Sequence, residues 1–313
     1  MPVWRLALGV TTGTMLALSV AVAGDSAETA LAVSELAPGI YVHEGAQADA
    51  DRHNRGDIAN IGFIVGSRCV AVIDTGGTPT IGRRLRTAIE RETNRPVCYV
   101  INTHMHPDHV LGNRAFVEGE TQFIAAEGYW RALSTRASSY LDSAADHIGV
   151  DADERWIVEP DRMIADQATI RLGDRSLTLT AHQRAHTDND LTVFDPKSGT
   201  LWLGDLLFVD RVPSIDGSLS GWLDVLAALE DREDVNTVIP GHGPPGHDLM
   251  RMLGPEKRYL THLRRDVRKA IDDGYGIDYA VAHAAREERD DWRLFDQYHP
   301  RNVTAAYTEL EWQ

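Results

Sequence analysis

The chain has little cysteine, little positive charge and, past its first residues, no long apolar run. Each shortage excludes something. Cys69 and Cys98 are the only cysteines in 313 residues, too few for a disulfide framework or a four-thiolate metal knot. Lys and Arg number 31 against 47 Asp and Glu, for a formal net charge of −16. A surface this acidic repels phosphate backbones, so no nucleic-acid partner is expected. After residue 22 no stretch approaches the roughly 20 apolar residues of a membrane-spanning helix. There is no Gly-x-Ser-x-Gly turn to present a serine nucleophile. Repeats and low-complexity tracts are also lacking.

What is present suits a globular protein. Hydrophobic residues make up 43% and charged residues 25%, and the length fits one large domain or two ordinary ones. Residues 1–22 carry one charged side chain, Arg5, and an apolar run over 6–22. Ala21-Val22-Ala23 then places small residues before Gly24. This reads as a signal peptide over 1–23, cut before Gly24, which in a bacterium means a periplasmic protein with no membrane attachment. The other reading is an uncleaved anchor, for which a run of about 17 residues softened by Thr11, Thr12, Gly13 and Thr14 is short. In an oxidising space Cys69 and Cys98 form one disulfide or remain two buried thiols. Spacing alone leaves both open.

Periodicity indicates an α/β fold. Apolar runs at 40–42, 61–65, 69–73 and 97–101 read as strands. Ile81, Leu85 and Ile89 share one helical face between the last two, which implies a βαβ unit with parallel strands. Later strands are expected at 123–125, 177–180, 191–194, 201–203 and 238–239. Helices are expected over 126–148 and 219–230, and from Pro255 to near the end. Leu260, Leu263 and Val267 form a packing stripe there.

The chemistry-bearing residues begin where the 97–101 strand ends. Residues 102–109 read Asn-Thr-His-Met-His-Pro-Asp-His. Ligands gather at the carboxyl ends of strands in α/β sheets. Alternate residues of an extended segment point the same way, so His104 and His106 can grip one ion, and Asp108 and His109 can face a second. Imidazole with carboxylate suits Zn²⁺, with Fe or Mn also accommodated. His186 follows in a loop between strands. Asp205 and His242 each follow a short apolar run, beside Gly204, Gly241 and Gly243, which let backbone crowd the site. Taken singly, each of these three is more simply a turn residue; their combination with the 104–109 string is what makes them ligands.

This set resembles the metallo-β-lactamase-fold hydrolase superfamily over residues 37–244, with Asp74, the 104–109 string, His186, Asp205 and His242 in that family's order. The resemblance implies an αββα sandwich, with a catalytic domain over 24–254 and a helical C-terminal extension over 255–313. It implies two zinc ions per chain: one held by His104, His106 and His186, one by Asp108, His109 and His242, with Asp205 bridging and Asp74 orienting the ligands. Such a pair, about 3.5–4 Å apart, shares a hydroxide that attacks a carbonyl or phosphoryl centre. Asp108 and Asp205 are the catalytic carboxylates that position it. The expected reaction is hydrolysis of a small ester, thioester, lactone or amide.

Aspartate at 205, where the best-known lactamases of the family have cysteine, looks more like glyoxalase II and the phosphodiesterase-type members, although glutathione-binding residues are not identifiable. The chain is most similar to the quinoprotein relay system zinc metallohydrolases, through Arg55-Gly56-Asp57-Ile58-Ala59-Asn60-Ile61-Gly62-Phe63 and the ending from Asn302 to Trp312. That likeness implies a periplasmic quinoprotein dehydrogenase as partner. Three alternatives stand beside it: a mononuclear iron persulfide dioxygenase, a β-lactamase, and a non-enzymatic quinoprotein accessory. His53 is kept as a substrate contact from its loop. Tyr129, Arg211 and Trp222 lie in segments that border the expected pocket.

Overall fold

The computed structural model describes residues 1–3 and 29–313. The apolar run and cleavage point expected near the N-terminus therefore lie outside the described residues. No helix among the described residues is long and apolar enough to cross a membrane.

Two sheets pack face to face between helices, as the αββα expectation requires. The first contains β1 (Ser34–Ala37), β2 (Ile40–His43), β3 (Ile61–Val65), β4 (Val70–Ile73), β5 (Val97–Ile101), β6 (Gln122–Ala126) and β7 (Arg162–Ile164), in that spatial order. Its strands are antiparallel up to β4 and parallel from β4 to β7. The second sheet holds β8 (Gln167–Arg171), β9 (Ser176–Ala181), β10 (Leu191–Asp195), β11 (Thr200–Phe208) and β12 (Thr237–His242). It is antiparallel except for the β11–β12 pair. The helices are α1 (Pro79–Glu92), α2 (Pro107–Val110), α3 (Tyr129–Ser143), α4 (Leu219–Glu230), α5 (Leu249–Asp272), α6 (Ile277–His283) and α7 (Phe295–Leu310).

Alternation along the strands decides what packs where. In β4, Ala71 and Ile73 face the second sheet, where they meet Leu179, Val193, Trp202 and Ile239. Val70 and Val72 face the other way, onto Ile81, Leu85 and Ile89 of α1. Both faces of β4 are thus buried, which is why its run is apolar throughout rather than alternating. Burying each such side chain contributes about 1.5–3 kcal/mol, and a one-residue slip would exchange the two faces. The β4–β5 register is set by that packing.

The outer face of the second sheet is covered by α4, α5 and α7 in one core that includes Trp222, Leu253, Leu260, Leu263, Val267 and Val303. The expected stripe of Leu260, Leu263 and Val267 is therefore core. The helical region begins at Leu249 rather than Pro255, because α5 runs through that proline. An interior proline costs about 3 kcal/mol, and the buried face of α5 outweighs it. Three strands, β1, β7 and β8, are absent from the sequence reading; they are short or half-exposed and carry weak apolar patterns. The helix expected over 126–148 starts later, since β6 takes Ala126 and α3 begins at Tyr129.

Cys69 and Cys98 are joined, with their Cα atoms 5.7 Å apart across neighbouring strands. The bond closes a loop of sequence separation 29, for which the chain-entropy model gives about 3–4 kcal/mol. Replacing both residues by alanine is expected to lower the unfolding free energy by that amount in a denaturant titration. The unaltered folded protein is expected to take up no thiol reagent until it is reduced.

Candidate metal centre

The parallel order of β4 and β5 brings Asp74, just past β4, beside the 102–109 segment just past β5. Asp74 is buried and adopts φ +53°, a left-handed conformation that a non-glycine residue holds only under constraint. Its own bonds provide that constraint. Its backbone N–H donates to the Ile101 carbonyl. Its carboxylate accepts the Thr103 N–H at 2.8 Å, the Thr103 hydroxyl at 2.7 Å and His109 Nδ1 at 2.8 Å.

The second sheet supplies the other half. β11 continues past the expected end at Leu203 as far as Phe208, so Asp205 sits within the strand, not after it. The pairing with β12 shifts register on either side of Gly204, which has φ +53°. That irregularity hides the strand's continuation in the sequence and turns Asp205 toward the first sheet. A Cβ on Gly204 would lie 2.6 Å from the Thr103 side chain. His242 is the last residue of β12. His186 lies in the β9–β10 loop, which Asp190 closes by accepting the Thr187 N–H and hydroxyl at 2.9 and 2.6 Å.

These residues meet in two groups whose donor atoms lie within 4.8 Å of one another: His104, His106, His186 and Asp205, then Asp108, His109 and His242. In the first, His106 Nδ1 stands 3.1 Å from His104 Nε2 and 3.0 Å from His186 Nε2. Asp205 Oδ2 is 3.7 Å from His104 Nε2 and 3.5 Å from His186 Nε2. In the second, His242 Nε2 is 3.3 Å from Asp108 Oδ2, and His109 Nε2 is 3.7 Å from it. Asp205 reaches into this group too, at 3.1 Å from His109 Nε2 and 3.4 Å from His242 Nε2. Tetrahedral ligands about 2.0–2.1 Å from a zinc ion stand roughly 3.3 Å from each other, and the observed spacings bracket that value in both groups.

Tautomers make the case stronger. His186 Nδ1 donates to the Ser214 carbonyl at 2.6 Å, and His242 Nδ1 to the Ile58 carbonyl at 2.8 Å. His109 Nδ1 donates to Asp74, and His106 Nε2 faces Asp216 at 3.3 Å. His104 Nδ1 faces the Thr103 hydroxyl at 3.1 Å, whose single proton is already given to Asp74. A neutral imidazole has one N–H, so in their neutral forms all five rings turn a lone pair inward. In that state five lone pairs and two carboxylates converge with no hydrogen between them. His109 Nε2 and Asp205 Oδ1 are buried without a hydrogen-bond partner. The donor set of each group fits a divalent cation.

The electrostatics agree. Burial pushes His104 and His186 down, His186 to about 3, so both stay neutral. Burial also opposes a charge on His109 and His242, but Asp205 and Asp108 outweigh it and leave both raised. The same two carboxylates are held well below the usual range: burial pushes them up, and His109 and His242 overcome it. Positive charge is demanded at the second group, and without metal a proton on His109 supplies it.

A cavity of about 430 Å³ opens onto these donors, lined also by Tyr140, His147, Phe208, Arg211, Tyr298 and Arg301. Arg211 is thus a pocket residue, as expected of its segment. Trp222 and Tyr129 are not: Trp222 packs its ring 5.2 Å from that of His186, and the Tyr129 hydroxyl donates to Asn102. His53 is exposed and outside the cavity lining. His147 lines it instead, at the end of a wide helical turn that periodicity does not reveal. Tyr298 and Arg301 come from α7, distant in sequence, and no local signal marks them.

Two outcomes follow from the geometry. A Cβ on Gly241 would lie 1.9 Å from Asp205 Oδ1 and 2.7 Å from the Gly204 carbonyl carbon, so Gly241→Ala is expected to abolish tight metal binding in a chelator competition titration. Metal that displaces the His109 proton releases it to solvent. Affinity is therefore expected to fall by up to about tenfold per unit as pH drops below the raised His109 value, with proton release visible in weakly buffered solution.

Comparison with known proteins gives the same picture. The family model described as the metallo-beta-lactamase superfamily matches residues 54–242. Acyl-coenzyme A thioesterase MBLAC2 of Homo sapiens is 28% identical over 219 residues, covering 61% of this chain and 75% of that protein. The Gallus gallus counterpart is 28% identical over 236 residues, covering 66% and 78%. Among solved structures, the inverting sec-alkylsulfatase Pisa1 from Pseudomonas sp. superposes with a TM-score of 0.70 at 16% identity, covering 89% of this chain. The present chain spans only half the length of that sulfatase. A metallo-beta-lactamase from Pontibacter korlensis superposes with a TM-score of 0.60 at 20% identity, covering 74% and 99%. These structural likenesses concern the fold. With the family model spanning every donor of the centre, from the 104–109 string to His242, the chain belongs to the metallo-beta-lactamase superfamily.

Proposed function

We propose that the protein is an exported hydrolase that holds two zinc ions and cleaves a small acyl substrate, a thioester foremost, with esters, lactones and amides as related targets. The observation that carries this reading is the inward convergence of five imidazole lone pairs and two carboxylates in two groups. The thioester preference is supported by the relatives named acyl-coenzyme A thioesterases. Zinc bound there supplies a nucleophile from water at neutral pH and a Lewis acid for the attacked carbonyl.

The chain's own residues divide the remaining work. Asp205, 4% exposed, sits between the two groups, while Asp108, 16% exposed, is the more open carboxylate and lines the cavity. Asp108 is held ionised by His109 and His242 against the effect of burial. It accepts a proton from the attacking water at its carboxylate and returns one to the departing thiolate or alkoxide. At the cavity wall Phe208 stacks on His242 with ring centroids 5.1 Å apart, and behind the centre Trp222 packs on His186, which keeps bulk water from that side.

Export is supported by the joined Cys69 and Cys98, which suit an oxidising compartment. The quinoprotein association rests on the likeness of residues 55–63 and 302–312 to that subgroup. A mononuclear iron site needs two histidines and one carboxylate, and the division of seven donors into two groups favours two ions instead.

Protein purified without added metal is expected to carry two zinc ions per chain by mass spectrometry and to hydrolyse thioesters faster than lactones, β-lactams or phosphodiesters. Asp108→Ala is expected to lower kcat by about 10²–10⁴-fold. One iron per chain with oxygen consumption on persulfides would overturn the assignment. Restoration of quinoprotein activity in a deletion strain by Asp108→Ala would assign the accessory role.

A further inference from the structure

Two buried asparagines that touch neither the cavity nor any donor atom hold the backbone around the metal ligands. Asn302 of α7 is 1% exposed. Its Nδ2 donates to the Pro213 carbonyl at 2.6 Å and its Oδ1 accepts the Ile215 N–H at 3.0 Å. The amide thus grips the chain on both sides of Ser214. The Ser214 carbonyl accepts from His186 Nδ1, and Asp216, two residues on, faces His106 Nε2. Two of the three histidines of the first group lean on the segment that Asn302 clamps.

The amide's orientation is fixed from behind. Its Nδ2 also donates to the Tyr259 hydroxyl at 3.0 Å, which donates in turn to His299 Nδ1 at 2.9 Å. His299 Nε2 donates to the Ala284 carbonyl at 3.0 Å. Every donor in the chain from Ala284 to Pro213 has one acceptor, so the network has a single arrangement. Tyr259 lies in α5, so both long C-terminal helices take part.

Asn60 stands in the same relation to the second group. It is 2% exposed, and its Nδ2 donates to the Pro240 carbonyl at 2.9 Å and the Gly243 carbonyl at 2.7 Å, on either side of His242. Its backbone N–H donates to the Gly241 carbonyl at 2.8 Å. Two residues earlier, the Ile58 carbonyl accepts from His242 Nδ1.

We infer that Asn302 and Asn60 are positioning residues, one for each ion: Asn302 for the ion of His104, His106 and His186, Asn60 for that of Asp108, His109 and His242. The inference rests on the reading of those residues as metal ligands. Each asparagine fixes the carbonyl that sets a ligand's tautomer and ring angle, and outer contacts of this kind govern metal affinity by about 10–100-fold. Only an amide does this at either place. Aspartate has the same shape but no N–H, and would set a charge against the Pro213 or Pro240 carbonyl.

The test is stepwise zinc titration of the full chain, stripped of metal, against a chromophoric chelator. His186→Ala and Asp108→Ala proteins identify which step belongs to which group. Asn302→Asp is expected to weaken the His186 step about 10–100-fold and the other by less than about threefold, and Asn60→Asp to do the reverse. Cobalt-substituted spectra should change in the matching site alone. If an aspartate variant does not fold, Asn302→Ser and Asn60→Ser are read in its place. Equal loss at both steps, or a lowered melting temperature of the metal-free protein with both affinities intact, would reduce the asparagines to general structural residues. Zinc uptake by neither group in the unaltered chain would overturn the hydrolase reading itself, and this inference with it.

Discussion

The arrangement of this molecule depends on one electrostatic constraint: buried Asp74 and Asp205 and half-buried Asp108 stand together against five imidazoles whose ring nitrogens point inward. Burying carboxylates without compensation costs several kcal/mol per ion, and the imidazoles add dipoles of the same sense. Positive charge has to be present, as a proton or as metal. The raised His109 and His242 and the lowered Asp108 and Asp205 are two sides of that demand. The cores on either side of the sheets hold the donors in place against their mutual repulsion.

Meeting that constraint determines the local backbone. Donors come from both sheets: the segment past β5 in the first, and the β9–β10 loop, β11 and the end of β12 in the second, must reach one place. Asp74 is held left-handed because its carboxylate has to reach Thr103 and His109 at once. Gly204 breaks the β11 register so that Asp205 can turn inward, and Gly241 leaves the volume that the Asp205 carboxylate fills. A side chain at Gly241 would displace Asp205, which borders both groups, and one at Gly204 would press on Thr103, which holds Asp74.

The legible part of the sequence follows from these demands. Metal chemistry draws on few residue types, so the 104–109 string, His186, Asp205 and His242 stand out in the sequence, and the structure brings all seven of their donor residues together in two groups. The central strands were readable because both faces are buried and their runs are wholly apolar. What lay hidden depends on long-range contact. β7 and β8 are half-exposed and weakly patterned, and the continuation of β11 to Phe208 is masked by a glycine that normally reads as a strand end. Asn60 and Asn302 enter the sequence reading only within the segments of the subgroup likeness, and nothing local marks what they bond, because their partners stand 180 and 89 positions away.

The same distance separates the centre from the cavity wall, and α7 joins them. One turn of that helix carries Tyr298, which lines the cavity, and Asn302, which lies behind the ligands. Tyr298 accepts from Arg211 Nη2 at 2.9 Å, and its ring lies 5.0 Å from the guanidinium carbon. Arg211 in turn stands 3.4 Å from His242 Nδ1. That nitrogen already donates to Ile58, so the contact adds positive charge without a bond and lowers the tendency of His242 to protonate. A single helical segment therefore touches the first group through a backbone clamp and the second through a cation. Neither contact requires a change in the ligands themselves. The C-terminal helices accordingly bear on both donor groups and on the cavity wall together.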